Sequence, residues 1–145
     1  MWIRNIVEEL QQKYSTRCPY TISDYLKIHV LQHDLHHEIN GFYKYDRRNQ
    51  YIVINKNLEP YLKKFVCAHE LGHATLHPRL NTPFMRKNTL LSVNKIEREA
   101  NRFAAELLIP DENLFNSYDQ MTIYDIASIH QVPVELVKLK YKGLF

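Results

Sequence analysis

Residues Ala68–His77 read AHELGHATLH, and this stretch decides how the rest of the chain is interpreted. His69 and His73 are four residues apart, so on a helix both side chains lie on one face, one turn apart. Their ring nitrogens can then point at a single zinc ion about 2 Å from each. Glu70 lies one step round the helix, where it can take a proton from a water molecule beside the metal. The stretch therefore predicts a helical HExxH zinc site in which Glu70 is the general base.

Gly72 lies inside the predicted helix, between the two motif histidines. Glycine at such a position costs about 1 kcal/mol relative to alanine. That cost indicates that something packs closely against the helix at Gly72, either the sheet or the surroundings of the metal.

The third histidine of the stretch, His77, is too far from the first to share its metal ion. His69 and His77 are eight residues apart, which is about 12 Å along a helix. The longer zincin motif would need a glycine and a further histidine where this chain has Leu76 and Arg79. We therefore expect His77 at the end of the helix, facing the backbone carbonyls there.

The third metal ligand is expected from residues 94–110, NKIEREANRFAAELLIP, which have helical periodicity. Glu97 lies about 50° from the centre of the apolar face, whereas Glu99 lies about 110° away. A carboxylate on a buried face is costly unless it is paired or bound to metal, so Glu97 is the expected ligand and Glu99 the alternative. Asn94 and Glu97 also fit a capping box, which would explain Glu97 without a metal. Asn101, one turn beyond Glu97, is placed to hydrogen-bond a ligand histidine.

The remaining patterns predict an α+β fold in a single domain, residues 1–145. A small antiparallel sheet, packed with zincin-type helices, is expected from a hairpin around Asp46-Arg47-Arg48-Asn49 and from a further strand within HVLQHDLHHEI. Helices are predicted at about 3–14, after a cap at 21–24, at about 60–76 and at about 95–108, with a loop at 78–94. The C-terminal part, about 111–145, is expected to form short helices, the first of them in DENLFNSY.

Composition excludes several classes of function. The net charge of +3 is too small to argue for nucleic acid, and the three glycines form no phosphate-binding loop. Two cysteines are too few for a disulfide framework, and Cys67 is expected to be a buried, reduced thiol. The chain shows neither a signal peptide nor an apolar run of the roughly 20 residues that a membrane span needs. We expect a cytoplasmic monomer.

The two motifs together resemble the ImmA/IrrE family of zinc metallopeptidases. The resemblance rests on HELGH at residues 69–73, EREANRFAAELLIP at 97–110 and the strand YIVIN at 51–55, and it covers about residues 21–140. It implies a gluzincin-like core with His69, His73 and Glu97 as zinc ligands and Glu70 as the catalytic base. It also implies a cytoplasmic hydrolase of bacteria, phages and mobile elements that acts as an anti-repressor by cutting a helix-turn-helix repressor. Relatives of gluzincin type often have aspartate where this chain has Asn101.

Three other interpretations stay open at this stage. Two C-terminal helices carrying Lys138, Lys140 and Lys142 could contact DNA, although a pair of helices packed on the core would show the same pattern. The histidines of the segment at residues 29–37 could form a second metal site, although a solvated strand edge explains them equally. A zinc protein that binds a repressor without cutting it would also keep the metal ligands, but it would not need Glu70.

Overall fold

The computed structural model describes residues 1–80, 84–111 and 121–142. Its α+β class confirms the prediction. The N-terminal part contains, in order, α1 (Trp2–Tyr14), α2 (Pro19–Tyr25), β1 (His29–His33), β2 (Ile39–Asp46) and β3 (Asn49–Asn55). The elements that follow are α3 (Pro60–Leu76), β4 (Met85–Arg86), a 3-10 turn (Thr89–Leu91), α4 (Lys95–Leu108), α5 (Ile123–His130) and α6 (Val134–Lys140).

The predicted hairpin is present as β2 and β3, which pair in antiparallel orientation. Asp46 pairs with Asn49, so the turn between the strands consists of two residues, Arg47 and Arg48. Both have positive φ angles, 51° and 67°, as the favoured two-residue hairpin turn requires.

The sheet as a whole is mixed, which corrects the prediction of an antiparallel sheet. Its strand order is β1-β3-β2-β4, and β1 pairs with β3 in parallel, with His29 opposite Tyr51 and His33 opposite Asn55. β1 lies at the free edge of β3, so β3 separates β1 from β2, the strand that follows it in the chain. Only five residues connect β1 to β2, too few for a crossover, so these two strands run in opposite directions and β1 is parallel to β3.

The histidine-rich segment lies on this outer edge of the sheet. His29, His33, His36 and His37 are all exposed. His29 stacks on Tyr51 with ring centroids 5.1 Å apart, and His36 lies beside His37 at 4.2 Å. Among the described residues, the one cluster of three metal-capable side chains that converge is elsewhere, on α3.

Helix α3 is the central element of the core. Its residues from Phe65 to Ala74 are all buried, because the sheet covers one side and α4 the other. Gly41 on β2 allows the close approach of the sheet, since a Cβ there would lie 2.6 Å from Val53 O and from Val66 Cγ1. Helix α3 therefore holds its motif residues between two packed layers, away from solvent.

The segment predicted as a loop at 78–94 contains two short elements in its described part. β4 adds a fourth strand to the sheet by pairing with β2, and the 3-10 turn brings Thr89 inward, where it is 5% exposed. The sequence could not indicate β4, because a two-residue strand next to an irregular register shows no alternation of apolar and polar residues.

Helices α5 and α6 pack on the core instead of extending into solvent. The predicted capping box of Thr122 and Asp125 begins α5. Lys140 on α6 is buried, with Nζ 3.6 Å from Glu106 and 3.0 Å from Asp111, whereas Lys138 and Lys142 are exposed. The three lysines thus do not share one solvent-facing stripe. The helix predicted in DENLFNSY spans residues 111–118, which lie outside the described residues except for Asp111.

One hydrophobic cluster joins the inner face of the sheet to α1, α3, α4, α5 and α6. Cys67 is buried within it, and both Cys18 and Cys67 are free thiols. No described helix combines the length and the hydropathy that crossing a membrane would take. The single-domain interpretation stays a prediction.

Candidate metal centre

The two motif histidines and Glu97 meet between α3 and α4. Nε2 of His73 lies 2.8 Å from Glu97 Oε1, and Nε2 of His69 lies 3.3 Å from Glu97 Oε2. Ligands held tetrahedrally at about 2 Å from a zinc ion are about 3.3 Å from one another, so these separations are of the size that a metal site needs. The two histidines lie on one face of α3, as the four-residue spacing requires, and α4 brings in the carboxylate from across the helix interface.

Asn101 holds the far side of the His69 ring. Its Oδ1 lies 2.8 Å from His69 Nδ1, and its Nδ2 donates to the backbone oxygen of Thr89 at 3.0 Å. Because the Asn101 amide nitrogen is used by Thr89, its oxygen faces the ring and accepts a hydrogen bond from Nδ1–H. His69 is thereby left with a lone pair on Nε2. The hydrogen bond predicted for Asn101 is present.

His77 and Glu99 hold the far side of the His73 ring. His77 Nδ1 lies 3.0 Å from His73 Nδ1, and His77 Nε2 lies 2.8 Å from Glu99 Oε1. His77 is 7% exposed and follows directly after α3, so the prediction of a helix-end histidine is correct. Its side chain, however, contacts His73 and Glu99 and not only the carbonyl end of the helix.

These contacts provide a test of whether the residues fit a metal ion. Nε2 of His69 makes no hydrogen bond among the described residues, although it is completely buried. Its lone pair faces Glu97 Oε2 at 3.3 Å, which is electrostatically unfavourable unless a cation lies between the two atoms. Two histidine nitrogens and one carboxylate are also a donor set that zinc commonly uses, with a position left open. The residues present therefore fit a metal ion.

Glu70 is enclosed beside this cluster without a partner of its own. It is 0% exposed, and neither of its carboxylate oxygens makes a hydrogen bond in the described part of the chain. Its Oε2 lies 4.0 Å from His69 Nε2. A buried carboxylate that is left unpaired is costly, and such groups are typical of functional sites.

Burial and charge set the protonation behaviour of the cluster. Burial raises the pKa of Glu70 to about 8, and burial lowers the pKa of His73 to about 4. Burial alone would lower the pKa of His69, but the negative charge of Glu70 and the contact with Glu97 outweigh it, so the pKa is raised. For Glu97, burial raises the pKa, but the two histidines that face its carboxylate outweigh burial and hold the pKa well below its usual range. The surroundings of His69 and Glu97 thus favour a positive charge between the carboxylates of Glu70 and Glu97.

A surface depression of about 270 Å³ leads to the edge of the cluster. Glu97 and Thr89 line it, together with Phe84, Arg86 and Leu91. The Thr89 hydroxyl donates to Glu97 Oε2 at 3.0 Å, so the 3-10 turn is tied directly to the site. His69, Glu70 and His73 are each 0% exposed beneath it.

Comparison with known proteins identifies the family of this chain. Residues 23–142 match the peptidase M78 family, described as the IrrE N-terminal-like domain. The chain belongs to this family. It is 54% identical over 140 residues to an uncharacterised immunity region protein 2 of Bacillus phage phi105, covering 95% of this chain and 88% of that protein. It is 38% identical over 114 residues to the metallopeptidase ImmA of Bacillus subtilis (strain 168), covering 77% of this chain and 66% of that protein. The family resemblance inferred from the sequence is thereby confirmed.

The structure brings together all four residues that the sequence named for the site, and it separates the two glutamates considered for the third position. Glu97 faces both motif histidines, whereas Glu99 faces His77. The contribution of His77 and Thr89 to the cluster was not anticipated. The four-residue spacing of His73 and His77 was the signal available for His77; nothing in the sequence marks Thr89.

Proposed function

We propose that this protein is a zinc-dependent, site-specific endopeptidase, with His69, His73 and Glu97 as zinc ligands and Glu70 as the general base. The observation that carries the proposal is the convergence of two histidine nitrogens and one carboxylate beside a second carboxylate, that of Glu70, whose oxygens make no hydrogen bond to any described residue. Membership of a metallopeptidase family supports the same conclusion.

The ligand residues are held by contacts outside the cluster. Asn101 orients His69, His77 orients His73, and Thr89 donates to Glu97, so each ligand is fixed by a hydrogen bond that leaves its other face free. The chemistry that zinc supplies when it is bound is Lewis acidity towards a peptide carbonyl and towards water.

Glu70 would move the proton during hydrolysis. Its unpaired oxygens can accept a proton from the attacking water and return it to the leaving amine. The raised pKa of about 8 makes Glu70 a stronger base than an exposed carboxylate, and a cation held by the neighbouring histidines favours its ionised form. The surrounding apolar packing excludes other water from the reaction.

The substrate we propose is a helix-turn-helix repressor of a phage or mobile element, cut in the cytoplasm. The support is indirect: the family resemblance implies such a substrate, and a relative that is 54% identical is named as an immunity region protein of a phage. A monomer is sufficient for this function, because the ligands and the base all come from one chain.

The decisive experiment incubates the protein with the helix-turn-helix repressor encoded nearest to its gene, in the presence of zinc, and measures the intact masses of all products. Wild type should give two fragments from one bond. Glu70→Gln keeps the size and the buried position of the side chain but removes the base, so it should give none. Glu9→Gln removes the same charge from an exposed position on α1 and should cut like wild type.

The outcomes separate the proposal from its alternatives. Cutting by Glu70→Gln at the wild-type rate would contradict the assignment of the base. A stable complex with uncut repressor, formed equally by wild type and Glu70→Gln, would instead establish a binding protein. A DNA contact through α5 and α6 would appear as a mobility shift of a DNA duplex at low salt that weakens steeply as salt is added.

A further inference from the structure

Outside the cluster itself, the structure contains a second buried chain of polar contacts that begins at Glu99. The carboxylate of Glu99 contacts His77 Nε2 at 2.8 Å, and His77 Nδ1 contacts His73 Nδ1 at 3.0 Å. On the opposite edge of the His73 ring, Nε2 faces Glu97 at 2.8 Å. His77 is 7% exposed, and the side chain of Glu99 is 19% exposed, so water competes little for these groups.

When His77 is neutral, the hydrogen bonds in this chain of contacts can run in only one direction. A carboxylate accepts and cannot donate, so the proton of the neutral His77 ring is on Nε2 and points at Glu99. His77 Nδ1 then has a lone pair, and the proton between the two rings must come from His73 Nδ1. His73 then has no proton on Nε2, as metal coordination requires; without a cation between them, Glu97 at 2.8 Å would itself accept a proton from this atom.

We propose that Glu99 and His77 are positioning residues that fix the tautomer and the direction of the His73 ring so that its Nε2 lone pair faces the metal position. The inference rests on the proposed metal site but not on the proposed substrate. It also gives Glu99 a role different from that of a ligand, because its carboxylate acts on the metal position through the rings of His77 and His73.

The two motif histidines are thus fixed by different means. The chain behind His69 ends on a backbone oxygen, that of Thr89, which no side-chain substitution removes. The chain behind His73 ends on the carboxylate of Glu99 and passes through the ring of His77, so substitution of either residue breaks it without removing the Asn101 contact of His69. Loss of this chain should therefore impair His73 selectively.

The first test is made on metal-free protein that carries Glu97→Ala, because without a metal ion the Glu97 carboxylate would itself accept a proton from His73 Nε2. The tautomers of the labelled histidine rings are read from long-range proton–nitrogen NMR correlations, and in this background we expect His73 with its proton on Nδ1 and His77 with its proton on Nε2. Glu99→Gln should lose this preference, because an amide can either accept from or donate to His77. Glu9→Gln, which removes an exposed charge from α1, should leave both spectra unchanged.

The second test measures the affinity for Zn²⁺ by competition with a chromophoric chelator. His77→Leu fills the space but offers no acceptor to His73, and it should weaken zinc binding about 10- to 100-fold, the usual effect of losing an outer hydrogen bond to a metal ligand. His77→Asn places an amide oxygen where Nδ1 was, and it should restore most of the affinity. Thermal unfolding of each variant without metal shows whether the fold is intact.

These measurements keep the two proposals separate. Wild-type zinc affinity in His77→Leu, or an Nε2–H tautomer of His73 in the metal-free Glu97→Ala protein, would overturn the positioning role. Failure of His77→Asn to bind better than His77→Leu would do the same. Normal tautomers and zinc affinities in a protein that cuts no repressor would leave the positioning role in place and contradict only the proposed substrate.

Discussion

Gly72 on α3 lies against Phe103 on α4 with no room for a side chain. A Cβ at Gly72 would be 3.0 Å from Phe103 Cβ and 3.2 Å from Ala100 Cα. The close packing that the sequence indicated at Gly72 thus comes from α4, the helix that carries Glu97. The distance between the two helices, and with it the distance between the histidines and Glu97, is set in part at this contact.

Gly72→Ala should therefore change the site more than the stability. The methyl group gains about 1 kcal/mol of helix propensity, but it meets a Cβ and a Cα that cannot rotate away, an overlap that typically costs about 1–3 kcal/mol. We expect net destabilisation of about 0–2 kcal/mol and a clear loss of zinc affinity, because α4 is pushed outward. Urea unfolding and chelator competition measure the two effects, and unchanged zinc affinity would contradict the prediction.

Glu97→Gln should remove a charged ligand while preserving the shape of the helix interface. The amide nitrogen cannot coordinate and its oxygen is neutral, so zinc affinity should fall by more than the roughly 100-fold upper range for outer contacts. Glu99→Gln is the matched comparison on the same helix and should lose clearly less. Equal losses in the two variants would indicate that the assignment of Glu97 as the ligand is wrong.

Glu70→Gln should stabilise the metal-free protein in a pH-dependent way. The pKa of Glu70 is raised to about 8 in the folded protein, so the stability it contributes is present below its unfolded pKa and is lost as the pH rises through about 8. Glutamine does not titrate, so the variant and wild type should be similarly stable near pH 4.5 and diverge towards pH 8. The difference at pH 8 should reach roughly 2 kcal/mol or more, since one pKa unit corresponds to about 1.4 kcal/mol.

Urea unfolding with a chelator present, at several pH values, measures this difference directly. Because all other groups titrate in both proteins, the change in the difference between them isolates Glu70. If the free energies of unfolding of wild type and Glu70→Gln differ by the same amount at acidic and alkaline pH, burial does not hold a proton on this carboxylate.

Lys140→Met should destabilise the protein, whereas Lys138→Met should not. Lys140 contacts Glu106, Asp111 and the backbone oxygen of Ile109, and its loss leaves Glu106 buried with fewer partners. Removing one partner of a buried ion pair typically costs about 3–5 kcal/mol, and we expect about 2 kcal/mol here because Arg102 still pairs with Glu106 at 2.8 Å. Lys138 is exposed on the same helix, so its substitution should stay within about 0.5 kcal/mol. Equal effects would contradict the inward role of Lys140.

The parts of the fold that the sequence predicted are those set by local periodicity. Helices α3 and α4 were predicted at about 60–76 and 95–108, as they are found, since a proline begins the first and a capping asparagine begins the second. Glu97 could be separated from Glu99 because one side of α4 is apolar, and that asymmetry is a property of the sequence alone.

The parts that were not predicted depend on contacts between distant segments. The parallel pairing of β1 with β3 has no local signature, because an exposed edge strand has the same alternation in either direction. Thr89 lies next to Glu97 only because the 3-10 turn folds back over α4. The contact of His77 with Glu99 likewise joins two helices whose relative placement the sequence does not contain.

The complete enclosure of Glu70 has a consequence for selectivity. A polypeptide can reach this carboxylate only if the covering chain gives way, and the free energy for that displacement must come from contacts that the polypeptide itself makes. A peptide that fits the surface poorly cannot supply it, so it is turned away before any bond is attacked. Discrimination of this kind operates at entry and not at the scissile bond, and it would let a protease remain among other cellular polypeptides without degrading them.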